Sequence, residues 1–415
     1  MAGRRGAALV ATALALGACT GSSGGDPEPT ASTTTTIAPE PEVDDGVLRL
    51  GALVPQDDTG FSTAYVTAVQ DAVDAIDAAG GVLGSDVELV FEDEGATSVT
   101  AAQAIEALVD GGSEDGVDAI IGPVSSLTAI GALDEAVEAG IVTCSPTASA
   151  ISLDDFPDDG LFFRTIPTDS LQAVAIAQEA RDSGASKVAI VHVDDAYGRP
   201  YADAVASELA RDTSIEVTTI PVAVGDDDLS DDLGALLDAQ AAIALGGGTD
   251  TARFLEAIAA RESASLEAVV VNDAARSPGN APIVSELPSG FRQLITGVAP
   301  QITRRPVEGE PAPLPFEPQV VDCVNLVALA AVQGGSDEPG VIASQMVSVS
   351  EGGRTCRDFA GCADQLAGGL QIDYQGATSI TDLGPDGDPD RARFDVFVFD
   401  ADGEDVYDDR TVTVG

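Results

Sequence analysis

Histidine occurs once in these 415 residues, at His192, and tryptophan is absent. A Ser-His-Asp hydrolase would have to use that one imidazole. His192 closes a predicted buried strand and reads as structural. There is no Gly-x-Ser-x-Gly elbow, no Gly-x-x-x-x-Gly-Lys phosphate loop and no dinucleotide fingerprint. Acids are too numerous for any spaced pair of them to signal a glycosidase. No enzyme activity and no cofactor are expected. With one His and no Cys-x-x-Cys pattern, no metal site is expected either. Basic side chains are scarce: 19 face 70 acids, a formal net charge of −51. Such a field repels nucleic acid and anionic headgroups. The acids scatter over the polar faces of predicted helices, as a solvated surface. No apolar run reaches the roughly 18 residues of a membrane span. Aromatics make up only 4% of the chain, yet hydrophobic residues reach 44%, enough for real cores.

What is present starts at the N-terminus. Arg4 and Arg5 precede an uncharged Ala- and Leu-rich run over 7–16, and Gly17 and Ala18 follow. That is the layout of a cleaved export signal over 1–18. Leu16-Gly17-Ala18-Cys19 resembles the lipobox of bacterial lipoproteins. The resemblance implies cleavage before Cys19, a diacylglycerol on its sulfur and a further acyl chain on the new N-terminus. Two or more acyl chains hold a protein stably to a bilayer. The implied place is outside the cytoplasmic membrane, anchored through Cys19. Residues 19–45, rich in Ser, Thr, Gly, Pro and acids, form a flexible tether that cannot bury enough apolar surface to fold.

From Val47 the chain becomes periodic. Strands are expected at 47–54, 87–91, 119–121 and 141–144, with helices at 63–79, 98–109 and 127–139 between them. The pattern restarts after Pro167. Helices are expected at 171–183, 201–211, 229–239 and 251–261, with strands at 187–192, 215–221, 242–245 and 268–271. Residues 303–318 read as a Pro-rich loop, 319–333 as an apolar helix, and 394–399 as a closing strand. Alternation of this kind predicts an α/β fold of two lobes, each a mostly parallel sheet flanked by helices. Setting Cys19 aside leaves four cysteines in an oxidising compartment, with three connectivities open. Cys356 and Cys362 are close in sequence and read as one bridge. Cys144 and Cys323 are then left as the other.

In open parallel sheets, ligands sit outside the carboxyl ends of the strands. Two hydroxyl-rich loops lie there: Gly122-Pro-Val-Ser125-Ser126-Leu-Thr128, and Ser145-Pro146-Thr147-Ala148-Ser149. Both approach helix N-termini, where free N–H groups and the helix dipole favour an anion. Taken alone, each loop reads first as structure: helix capping by Ser126 or Thr128 in the one, and a simple turn at Ser145-Pro146 in the other. Gly246-Gly-Gly248-Thr249-Asp250 reads as a strand–loop–helix turn.

An ordered set of segments is similar to one family. It comprises Leu50-Gly-Ala-Leu-Val-Pro55, Ala75-Ile-Asp-Ala-Ala-Gly-Gly-Val-Leu-Gly84, Glu92-Asp-Glu94, Ile121-Gly-Pro-Val-Ser-Ser126, Gly140-Ile-Val-Thr-Cys-Ser-Pro-Thr147, Phe163-Arg-Thr-Ile-Pro167 and Ala189-Ile-Val-His-Val-Asp-Asp-Ala-Tyr-Gly198. From about residue 47 onward the chain resembles the substrate-binding proteins of branched-chain amino acid ABC importers. The resemblance implies the type I periplasmic binding protein fold with three interlobe crossovers. It places 46–165 and 296–375 in the N-terminal lobe, and 166–295 and 376–415 in the C-terminal lobe. Ser126, Thr147 and Ser149, with Val124, Ser125 and Ala148, would grip the backbone of a small amino acid or amide. Tyr197 would cover it, with Gly248 nearby, and Asp273 would hold its ammonium. Phe61 stands where many members have Tyr. The expected partners are a small solute, ABC permease subunits and the membrane through the lipid, with the chain a monomer. A ligand-sensing receptor of the same fold, without a transport role, is the alternative.

Overall fold

The computed structural model describes residues 44–55, 60–111, 116–225, 229, 232–261, 265–302, 316–378 and 381–415. The expected export signal, Cys19, the tether up to residue 43 and most of the Pro-rich loop lie outside the described residues. Among the described residues no helix is long and apolar enough to cross a membrane.

The first lobe alternates β1 (Arg49–Pro55), α1 (Phe61–Ala78), β2 (Glu88–Gly95), α2 (Ser98–Val109), β3 (Ala119–Ile121), α3 (Ser126–Ala139), β4 (Val142–Ser145) and β5 (Phe162–Arg164). The five strands form one parallel sheet in the order β2-β1-β3-β4-β5. Helices cover both faces, so β3 and β4 are buried throughout, and β3 reads as a continuous apolar run. Thr97 opens α2 with a reciprocal cap against Thr100. Gly51 on β1 leaves room for α2, since a Cβ there would lie 2.8 Å from the tip of the Leu108 side chain.

The chain then enters the second lobe with α4 (Asp169–Asp182), β6 (Lys187–Val193), α5 (Gly198–Leu209), β7 (Glu216–Val222), β8 (Ala241–Leu245), α6 (Asp250–Ala259), β9 (Ala268–Val271), α7 (Ala281–Glu286), α8 (Ser289–Arg292) and β10 (Ile295–Pro300). The helix expected at 229–239 is instead a short 3-10 segment, Asp232–Asp238, kinked at Leu233. Strand β10 pairs with β9, so residues 295–300 stay in the second sheet, although the sequence reading returned the chain to the first lobe at 296.

The first lobe is completed by α9 (Glu317–Gly334), α10 (Pro339–Ser350), β11 (Arg354–Cys356), α11 (Phe359–Ala367) and β12 (Ile372–Tyr374). Helix α9 is apolar nearly all round and is buried from Val320 to Ala331 save Val321. It packs into one core with α1 and β1. Each fully buried Val or Leu there contributes about 1.5–3 kcal/mol. The chain ends with β13 (Ala392–Phe399) and β14 (Asp405–Val414), antiparallel additions to the second sheet, whose order is β14-β13-β10-β9-β8-β6-β7. Cys144 on β4 is bonded to Cys323 on α9, and Cys356 to Cys362.

Candidate functional site

One cavity of about 250 Å³ lies between the carboxyl ends of the two sheets. The first lobe lines it with Phe61, Val124, Ser125, Ser126, Leu127, Thr147, Ser149 and Phe316; the second with Tyr197, Gly247, Gly248, Asp273, Ala274 and Ser277. Of the ten residues singled out in the sequence, nine meet here. Ala148 does not. It is fully buried in a small apolar cluster, its N–H donates to Ser145 Oγ at 3.0 Å, and its carbonyl accepts from Arg164.

Glu94, at the end of β2, explains how the first-lobe wall is held. It is fully buried beneath the start of α3. Its carboxylate accepts from the N–H groups of Val124 at 2.9 Å and Ser125 at 3.2 Å, and from the Thr128 hydroxyl. Burial pushes this carboxyl up, and the three donated bonds pull the other way. So an internal acid, not Ser126 or Thr128, satisfies the entry to α3. The Ser126 Oγ accepts from Ala150 N–H at 3.2 Å, leaving its proton to donate. Thr147 Oγ1 donates to the Val124 carbonyl at 2.6 Å, which ties the two hydroxyl-rich loops together. The remaining first-turn N–H groups of α3 have no partner within the helix and sit at the positive end of its dipole.

The opposite wall carries negative charge. Asp273 follows β9, is half-buried and faces the cavity. Burial raises its pKa, opposed by a hydrogen bond from Gln172 and by the Arg276 charge. Its neighbour Asn272 is fully buried; its Nδ2 donates to Gly246 O at 2.9 Å and to Tyr197 Oη at 3.3 Å. That one amide fixes both the glycine loop and the tyrosine. Gly198 makes the loop feasible, since a Cβ there would lie 2.1 Å from the Val193 carbonyl. Tyr197 stacks edge-on against Tyr201, with ring centroids 5.9 Å apart.

Phe316 was not anticipated. It precedes α9 with φ of 69°, the left-handed region, and sets its ring edge-on to Phe61 at 6.2 Å. The two rings make an apolar wall beside the hydroxyl-rich loops. His192 is buried, with Nδ1 2.9 Å from the Val193 carbonyl, and does not line the cavity.

A sequence profile described as periplasmic binding protein matches residues 48–273. The chain belongs to the periplasmic binding protein family. It has the two-lobed type I fold, and the family is one of solute-binding proteins, not enzymes. The leucine binding protein LivK of Thermotoga maritima superposes with a TM-score of 0.69 at 17% identity, covering 89% of this chain and 98% of that one. The branched-chain amino acid transporter substrate binding protein LivJ of Streptococcus pneumoniae, solved with isoleucine, gives 0.64 at 20% identity, over 89% and 99% of the two chains. Among curated relatives, the chemotactic signal transduction system substrate-binding protein BasB of Halobacterium salinarum is 26% identical over 351 residues, 81% of this chain and 83% of that protein. The Leu/Ile/Val-binding protein BraC3 of Rhizobium johnstonii is 33% identical over 190 residues, 44% of this chain and 49% of that protein.

Proposed function

We propose that this periplasmic binding protein is an extracytoplasmic, lipid-anchored receptor that captures a small α-amino acid or related amide by lobe closure and delivers it to an ABC-type permease. The observation that carries this reading is the opposition of two chemistries across one cavity. Ser126, Ser149 and the N-terminus of α3 suit a carboxylate. Asp273, on the other lobe, suits an ammonium, as a charge-assisted pair. Phe61, Phe316, Val124 and Leu127 suit an apolar side chain between them. A ligand gripped from both lobes binds the closed state better than the open one, and that difference is what drives closure. The N-terminal signal and Cys19 support delivery outside the membrane and attachment to it.

Thermal unfolding of the full chain against the common amino acids and small amides tests the reading. A ligand at about 100 times its Kd adds roughly 2.7 kcal/mol. A shift of several degrees with α-amino acids supports it; a flat screen on folded protein contradicts it. The similarity to BasB, a chemotactic signal transduction system substrate-binding protein, favours one second reading, a ligand-sensing receptor of the same fold, working through a signal transducer and without a transport role. Recovery of the full chain from membranes with a permease supports transport, and recovery with a transducer supports sensing.

A further inference from the structure

Aromatic rings are rare in this chain, and three of them meet at the cavity. Phe, Tyr and Trp together make up 4% of the residues. At that frequency the 14 residues lining the cavity would carry fewer than one ring; they carry Phe61, Phe316 and Tyr197. All three are half-buried, so part of each ring stays uncovered. Phe61 and Phe316 stand edge to face at 6.2 Å on the first lobe. Tyr197 comes from the second lobe, its hydroxyl held by Asn272 Nδ2 at 3.3 Å.

The glycines that end β8 differ in what requires them. Gly246 is set by packing, since a Cβ there would lie 2.7 Å from the Thr251 nitrogen. Gly248 is set by its backbone, with φ of 50°. Neither reason applies to Gly247. A Cβ on it would meet no atom within 4 Å, and its φ is not in the left-handed region. The fold would accept a side chain at this cavity-lining position, and its absence leaves room. That room matches a ring. An apolar cavity of about 150 Å³ holds benzene, and a water occupies about 30 Å³. Of the 250 Å³ here, about 100 Å³ then remains for the Cα, carboxylate and ammonium, roughly the share of three waters.

Resting on the reading of Ser126, Ser149 and Asp273 as the grip on an α-amino acid, we propose that the cavity selects an aromatic side chain, with L-phenylalanine bound ahead of leucine, isoleucine and valine. The ligand ring packs among Phe61, Phe316 and Tyr197. Gly247 is a specificity-determining residue through the side chain it lacks. Edge-to-face and offset ring pairs add to affinity beyond the area they bury, about 2- to 12-fold per pair. An aliphatic side chain gains none of that and leaves part of the room unfilled.

Calorimetric titration of the full chain with L-phenylalanine, L-cyclohexylalanine and L-leucine tests this. Phenylalanine is expected to bind about tenfold more tightly than leucine, with cyclohexylalanine, which has the bulk without the π-face, in between. Gly247→Leu and Phe316→Leu are each expected to narrow the ratio of the leucine and phenylalanine Kd values. Any non-aromatic α-amino acid, cyclohexylalanine included, binding wild type as tightly as phenylalanine overturns the inference and leaves amino acid capture standing. An unchanged ratio in both variants also overturns it. The wild-type comparison decides the matter if a variant fails to fold. Absence of binding by every α-amino acid overturns the capture reading and this inference together.

Discussion

Arg164 and Asp388 form a buried ion pair across 224 residues of sequence, with Nε 2.6 Å from Oδ1. Arg164 is fully buried and ends β5, just before the chain first crosses to the second lobe; Asp388 lies in the last crossing, before β13. The Arg164 N–H also donates to the Gly387 carbonyl at 3.0 Å, and its guanidinium reaches Asp154 at 2.8 Å and the carbonyls of Ala148 and Ala150. Two crossings between the lobes are thereby joined, next to the loop that carries the cavity-lining Thr147 and Ser149.

Replacing Arg164 by Met leaves Asp388 without its cation in a largely buried site. Removing one partner of such a pair costs about 3–5 kcal/mol. Urea unfolding of Arg164→Met should show a loss of that order. A loss below about 1 kcal/mol would mean the crossings are held by other contacts.

The Cys144–Cys323 bridge spans 179 residues and ties the first sheet to α9, whereas Cys356–Cys362 spans six. Loop-closure entropy makes the long bridge the larger stabiliser, at about 2–5 kcal/mol. Replacing Cys144 and Cys323 together by Ala should lower the unfolding midpoint in denaturant clearly more than the same change at Cys356 and Cys362. Equal effects would contradict this.

Strand and helix alternation is legible in the sequence because a parallel sheet covered on both faces requires apolar strands, and Ala119–Ile121 stands out for that reason. The hydroxyl-rich loops are legible because they follow strand ends, and Asp273 through the family resemblance. The segment Glu92-Asp-Glu94 is legible but the role of Glu94 is not, being one acid among 70 Asp and Glu residues, and only the return of α3 over β2 supplies it. Phe316 is hidden because its contact with Phe61 depends on a left-handed backbone that local propensity disfavours. Strands β11 and β12 are three residues each and carry no readable period. The membership of 295–300 in the second sheet depends on pairing with β9 and β13, which no local pattern encodes.

Glu94→Ala orphans the N–H groups of Val124 and Ser125 and the Thr128 hydroxyl. Hydrogen bonds to a charged group contribute about 1.5–3 kcal/mol each, offset here by the relief of burying the acid. A net loss of about 2–3 kcal/mol is expected, with Glu94→Gln between Ala and wild type. Denaturant midpoints for the three proteins check the order; a more stable Ala variant would contradict it.

Asp169 predicts an unusual pH profile for the ligand-free protein. Its folded pKa lies above the ordinary 3.8, so the folded state holds the proton more tightly than the unfolded chain. The stability it contributes is complete below pH 4 or so and is lost as pH rises through the window up to the folded pKa, by up to about 1.4 kcal/mol per unit. Asp169→Asn should flatten that decline and gain most over wild type at neutral pH. Parallel pH profiles for the two proteins would show that this acid does not titrate abnormally.

In the proposed function, Asp273 reads an ammonium while the other lobe reads the carboxylate. Calorimetry comparing L-leucine with its α-keto acid, which keeps the carboxylate and the side chain but lacks the ammonium, tests it most directly. Leucine is expected to bind wild type at one site per chain, and the keto acid, or leucine with Asp273→Asn, about 10–100-fold more weakly. Equal affinity for the two compounds, or full leucine affinity in Asp273→Asn, would contradict it.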